Sequence, residues 1–114
     1  MLRMSFSMTT EQARNKTKTV TRRDEETWKH LRLGDRVLQV EKAQGLKKGE
    51  KQVEIHEIEI VAVRLEPLTS EFVTPEEVVK EGFPGMEPEE FITMYKRGRK
   101  KVDRVRRIEF KYVD

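Results

Sequence analysis

The sequence predicts an α+β domain of five to six short strands with two or three short helices. Three observations carry this prediction. Leu2, Met4, Phe6 and Met8 alternate with Arg3, Ser5 and Ser7, and Ile108, Phe110 and Tyr112 alternate with Glu109 and Lys111. Strands with one buried face therefore stand at both ends of the chain. Between them, Thr74-Pro75-Glu76-Glu77 supplies a capping hydroxyl, a proline at the first helical position and a glutamate at the third, which together start a helix. The length of 114 residues supports one core and not two, so residues 1–114 form a single domain.

The elements follow in order. The opening strand spans Leu2 to Met8, and Thr9 with Gln12 resembles a capping box that starts a short helix. A basic segment follows, then Asp24-Glu25-Glu26, and then Trp28 and Leu31 as apolar anchors. Leu33-Gly34-Asp35 reads as a turn into a strand holding Val37, Leu38 and Val40. Gly45-Leu46-Lys47-Lys48-Gly49 is a glycine-bracketed loop. In the next strand Val53 and Ile55 share one phase and Ile58 and Ile60 the other, so a bulge or bend belongs near His56-Glu57. Val61 to Val63 is apolar on both faces, and Pro67 ends the run. Val78 and Val79 form the buried side of the helix begun at Thr74, Gly82 ends it, and Glu81 falls in its last turn. Phe91, Met94 and Tyr95 mark one face of a second helix that runs to Gly98.

Composition excludes several function classes. Charged residues make up 39% and hydrophobic ones 35%, but the apolar residues fall in periodic runs, which separates this chain from disordered ones. With no cysteine there is no disulfide framework and no thiolate metal site. His30 and His56 are too far apart in sequence to suggest a zinc centre, so neither metal nor cofactor is expected. Met1 to Met8 is too short and polar for the apolar part of a signal peptide, and no run of about 18 apolar residues occurs. The expectation is a cytoplasmic monomer without a membrane partner.

The net charge of +3 hides a polarised distribution. Lys96 to Arg107 holds eight cations against Asp103, while Glu50 to Glu90 holds twelve acids against three cations. A second basic segment, Arg14 to Arg23, carries five cations and three threonines in ten residues without an acid. Brought together, the two basic stretches would suit RNA or a nucleotide. Taken alone, each also reads as solvated surface, and for Lys96 to Lys101 that simpler reading leads. Within the first segment, Lys18, Thr21 and Arg23 place an amine, a hydroxyl and a guanidinium a few residues apart, the groups that hold a phosphate or activate a hydroxyl. Lys16 and Arg22 beside them, and Lys47 and Lys48 at the glycine-bracketed loop, are further candidates for an anionic ligand. Trp28 or Tyr95 offers a ring on which a base can stack.

The opening strand, the string Lys18 to Arg23, the Leu33-Gly34-Asp35 turn, the capped helix bearing Glu81 and the closing Arg107-Ile108-Glu109-Phe110-Lys111 strand together resemble the ASCH domain, over nearly the whole chain and in the same order. The resemblance implies a PUA-like mixed β-barrel. Among its members it is similar to small bacterial amidohydrolases of N4-acetylcytidine, while the Gly45–Gly49 loop and Arg22 look more like phage-associated or prophage-associated members. By this resemblance Lys18, Thr21 and Glu81 form the reacting set. Either Lys18 is the base that activates Thr21 while Glu81 orients it, or a protonated Lys18 stabilises an oxyanion while Glu81 activates water. A noncatalytic RNA-binding module, or a ribonuclease using the same cleft, is the alternative.

Overall fold

The computed structural model describes all 114 residues. Strands β1 (Leu2–Ser5), β2 (Val20–Arg23), β3 (Arg36–Val40), β4 (Glu54–Pro67) and β5 (Arg104–Tyr112) form one mixed sheet in the order β1-β3-β4-β5-β2. The β1–β3 pair is parallel and the other three pairs are antiparallel. A 3-10 turn at Ser7–Thr9 leads into helix α1 (Thr10–Arg14), and α2 (Pro75–Lys80) and α3 (Pro88–Lys96) lie between β4 and β5. The sheet curls into a half-barrel. Its two edges approach where the Arg23 guanidinium donates to the Ser5 carbonyl at 2.6 Å and lies 5.2 Å from the centre of the Phe6 ring.

Two bulges help produce the curl. Leu38 pairs with Glu57 but Val40 pairs with Glu54, so β4 carries an extra residue at Ile55-His56, where the change of hydrophobic phase predicts a bend. Ile60 pairs with Phe110 but Ala62 with Glu109, a second extra residue at Val61. This second bulge explains why Val61 to Val63 reads as apolar on both faces. It flips the pleat, so that Val63, opposite Ile108, returns to the side occupied by Ile58 and Ile60.

The concave face holds the larger apolar core. Met4, Phe6, Val37, Ile58, Ile60, Ile108 and Phe110 are buried together with Ala13 and Leu31, Trp28 covers their rim, and the Phe6 and Phe110 rings meet edge to face at 5.8 Å. The opening and closing strands thus share one core, as their alternation predicts. Each such side chain contributes about 1.5–3 kcal/mol when fully buried. On the opposite face Val105 joins Leu68, Val73, Val78, Phe91, Ile92 and Tyr95 beneath α2 and α3.

Local details depart from the sequence reading. The first strand ends at Ser5 and not Met8, because the chain turns at Phe6 into the 3-10 segment and leaves the Met8 side chain exposed. Thr9 occupies the cap position of α1 without making a side-chain cap bond. In α2, the Thr74 hydroxyl accepts from the Glu77 N–H at 3.3 Å as the capping pattern requires, but the Glu77 carboxylate turns away to two arginines and does not close the box. Val78 is buried while Val79 is 52% exposed, since neighbours on a helix point about 100° apart. Gly82 ends α2 at φ +103°, a conformation that favours glycine, and a Cβ there would also press on the Gln12 side chain at 3.2 Å. That stop fixes Glu81 at the helix C-cap.

Candidate functional site

The site grows from the pairing of β2 with β5. Their register sets Arg22 opposite Arg107, and two like charges directly across a ladder repel. Helix α2 resolves the conflict by placing Glu77 between them. Glu77 accepts from Arg107 Nε at 2.6 Å and Nη2 at 3.0 Å, and from Arg22 Nη2 at 2.6 Å. Burial alone would raise the Glu77 carboxyl, but the hydrogen bonds and charges of Arg107 and Arg22 outweigh it and hold the group at about 2. Glu66, on the same face of β4, accepts from Arg22 Nε at 2.9 Å. The remaining Arg22 nitrogen, Nη1, donates to Glu81 Oε2 at 3.0 Å.

From Glu81 the network reaches Lys18. Lys18 Nζ donates to Glu81 Oε1 at 3.0 Å and to the Glu81 carbonyl at 2.6 Å. The lysine backbone is pinned on both sides: its N–H donates to the Gln12 carbonyl at 3.2 Å, and its carbonyl accepts from the Tyr112 hydroxyl at 2.7 Å. An acid at the carboxyl end of a helix is unfavourable in isolation, and here Lys18 and Arg22 compensate it. Lys18, Arg22 and Arg107 thus face Glu66, Glu77 and Glu81, three cations against three acids, all inside the fold. The Lys18 side chain is only 3% exposed. Its amine lies below the usual lysine range because the burial that strips its water outweighs the attraction of Glu81, with Arg23 and Arg22 pushing the same way as burial.

Beside this network opens a cavity of about 240 Å³. Lys18, Thr21, Arg22, Arg23 and Glu81 line it, and Phe6, Phe83, Phe91, Met94 and Tyr95 supply apolar walls. Thr21, on the opposite pleat of β2 from Arg22, is buried, and its hydroxyl accepts from Arg23 Nε at 3.1 Å. That hydroxyl makes no hydrogen bond to Lys18 or Glu81; the three residues share the cavity, and the close pair among them is Lys18–Glu81.

Six of the sequence candidates therefore meet: Lys18, Thr21, Arg22, Arg23, Glu81 and Tyr95. The Arg22 side chain is enclosed and each of its three nitrogens is held by a carboxylate, an arrangement that fixes Glu81 in place. The other candidates lie elsewhere. Lys16 donates to the Asp114 carbonyl at 2.6 Å, Trp28 packs on the concave core, and Lys47 and Lys48 stay in their loop outside the cavity wall. Sequence reasoning missed Arg99, whose guanidinium lies 4.2 Å from the centre of the Tyr95 ring at the cavity. Helix α3 ends at Lys96, so helical spacing could not have pointed to Arg99; the chain folds back after Gly98 to bring it over the ring. Sequence reasoning also missed Glu66, and read Glu77 only as part of the helix cap.

The fold is similar to two solved structures. One is the hypothetical protein PH0355, with a TM-score of 0.66 at 18% identity over 98% of this chain and 96% of that one. The other is the protein EF3133 from Enterococcus faecalis V583, described under the family DUF984, with a TM-score of 0.68 at 14% identity over 99% of this chain and 76% of that one. At such identities the likeness establishes a shared fold. No protein-family model and no curated protein matches the sequence.

Proposed function

We propose that this chain is an amidohydrolase of the ASCH type that removes the acyl group from an N4-acylated cytidine. The observation that carries this reading is the solvent-shielded Lys18–Glu81 pair on the wall of a cavity that also holds Thr21 and is faced with aromatic rings. Phenylalanine and tyrosine faces suit a flat pyrimidine. Both Glu81 oxygens are engaged, one by Lys18 and one by Arg22, which suits the carboxylate to orienting the lysine. Lys18, with its lowered pKa, is the better base.

In this mechanism the Thr21 oxygen attacks the acyl carbon and its proton passes to the neutral Lys18 amine. Arg23, already donating to that oxygen, leaves the hydroxyl proton free to depart. The carbon–N4 bond then breaks as Lys18 returns the proton to the departing cytidine nitrogen. A water deprotonated by Lys18 hydrolyses the acyl-threonine, releasing the carboxylate and restoring the hydroxyl. The second reading is a noncatalytic RNA-binding module or a ribonuclease. In its favour, Lys96, Arg97 and Lys100 are exposed without acidic partners next to Arg99.

The test is direct. Purified protein incubated with N4-acetylcytidine should convert its ultraviolet spectrum to that of cytidine. Thr21→Val should cut turnover by about 10²-fold or more while the thermal midpoint holds. Because neutral Lys18 is the active form, kcat/KM should climb with pH and level off below 10.5, the ordinary lysine value. No turnover at high enzyme concentration would refute the hydrolase, and full activity in the valine variant would refute Thr21 as its nucleophile.

A further inference from the structure

The charges lining the cavity do not balance. Lys18 is matched by Glu81, and Arg22 by Glu66 and Glu77, which leaves Arg23 and Arg99. Neither forms an ion pair: Arg23 donates only to the Thr21 hydroxyl and the Ser5 carbonyl, and Arg99 only to the Tyr95 carbonyl. Burial penalises the charge on Arg23 most; Glu81 offsets part of that without touching the guanidinium, and Arg99 adds to the penalty. A largely desolvated cation beside a second one, with no acid in contact with either, is an arrangement that proteins seldom leave uncompensated. The same wall holds the Tyr95 hydroxyl, buried and without a partner, although a buried tyrosine hydroxyl ordinarily finds one.

We infer that Arg23 and Arg99 form a subsite for the terminal phosphate of a mononucleotide, with the Tyr95 hydroxyl available as a neutral donor at the same wall. This rests on the nucleoside reading of the cavity and narrows it to a phosphorylated substrate. Guanidinium groups suit phosphate oxygens because their fork of donors can meet two of them at once. The neighbouring surface favours a single terminal phosphate over a continuing chain. Beyond Tyr95 and Arg99 the next depression holds four acids, Asp24, Glu25, Glu26 and Asp103, against three cations, and two of those, Lys101 and Arg104, are taken up by Asp103 and Glu25, so it offers further phosphodiesters no excess of positive charge.

The experiment measures binding, so that it does not depend on turnover. Calorimetric titration of the protein with cytidine 5′-monophosphate and with cytidine should show the nucleotide binding about tenfold tighter or more, as expected for a charged hydrogen bond, with the advantage shrinking as salt rises. Arg99→Gln should erase most of that difference and Arg99→Lys should restore part of it. Arg99 is exposed beyond the end of α3, and a thermal melt of each variant will verify that the fold is kept. Equal affinities for nucleotide and nucleoside, or a preference that survives Arg99→Gln, would overturn the subsite while leaving the hydrolase reading to its own assay. A short oligoribonucleotide without terminal phosphates that binds as tightly as the monophosphate would overturn it in favour of a polynucleotide. Arg99-dependent nucleotide preference in a protein that hydrolyses neither N4-acetylcytidine nor its 5′-monophosphate would support the subsite and refute the hydrolase.

Discussion

The two faces of the half-barrel are built from opposite materials. Inside the curl, Met4, Phe6, Ile58, Ile60, Ile108 and Phe110 meet as an apolar core held by packing alone. On the other face of the same strands, β5 turns Arg107 toward α2, and Arg22, Glu66, Glu77, Glu81 and Lys18 continue the line of charges to the cavity. The comparison teaches what each material does. An apolar core accepts many fillings of similar volume. A buried ion network accepts few, because each member is needed to neutralise the next, and it therefore holds side chains such as Lys18 and Glu81 at defined positions.

The largest expected effect tests that contrast at its centre. Arg22→Met removes the cation that faces three carboxylates and should destabilise the protein by about 3–5 kcal/mol in urea unfolding, the usual cost of stranding buried charge. On the apolar face, Ile108→Val trims one methylene and should cost about 0.5–1.5 kcal/mol. Equal losses would mean that the charged face is as adaptable as the apolar one, and the contrast would fail.

A smaller effect separates the faces by pH. Glu77 is held at about 2, against an ordinary 4.5. Because its folded pKa is depressed, its contribution to stability is complete above about 4.5 and is lost as pH falls toward 2, where the folded carboxylate at last takes a proton. The thermal midpoint should therefore fall through that window, and less steeply in Glu77→Gln, which starts lower but has no proton to gain. Substitutions confined to the concave core should shift the curve down without changing its slope. An unchanged slope in Glu77→Gln would assign the acid sensitivity to other groups.

These two faces also differed in legibility. The apolar core was readable because alternation at Leu2 to Phe6 and at Ile108 to Tyr112 reports directly which side is buried. The bend near His56 was readable for the same reason, as a change of phase. The charged face was not, since Glu66, Glu77 and Arg107 carry no periodic mark that tells a buried ion from a solvated one. Nothing in its spacing showed that Arg22 would hold Glu81 in place. The meeting of Lys18 with Glu81, 63 residues apart, depends on register between β2 and β5 and on the stop at Gly82. Family resemblance suggested the set; local spacing had no means to place it.

The smallest expected effect asks whether burial, and not ion pairing itself, makes the network matter. Arg36 pairs with Glu57 at 2.7 Å and with Glu59 at 3.1 Å, distances as short as those around Arg22, and it too faces more than one carboxylate. Its side chain, however, is 49% exposed. Water already solvates such a guanidinium in the unfolded chain and still reaches it in the folded one, so little changes on folding beyond some lost side-chain freedom. Arg36→Ala should therefore cost at most about 1 kcal/mol, and that loss should shrink in high salt, where exposed charges are screened. The loss in Arg22→Met should persist at the same salt concentration. If Arg36→Ala proved as damaging as Arg22→Met, ion-pair geometry would govern both sites, and enclosure would no longer explain why one network orders the cavity and the other only decorates the sheet.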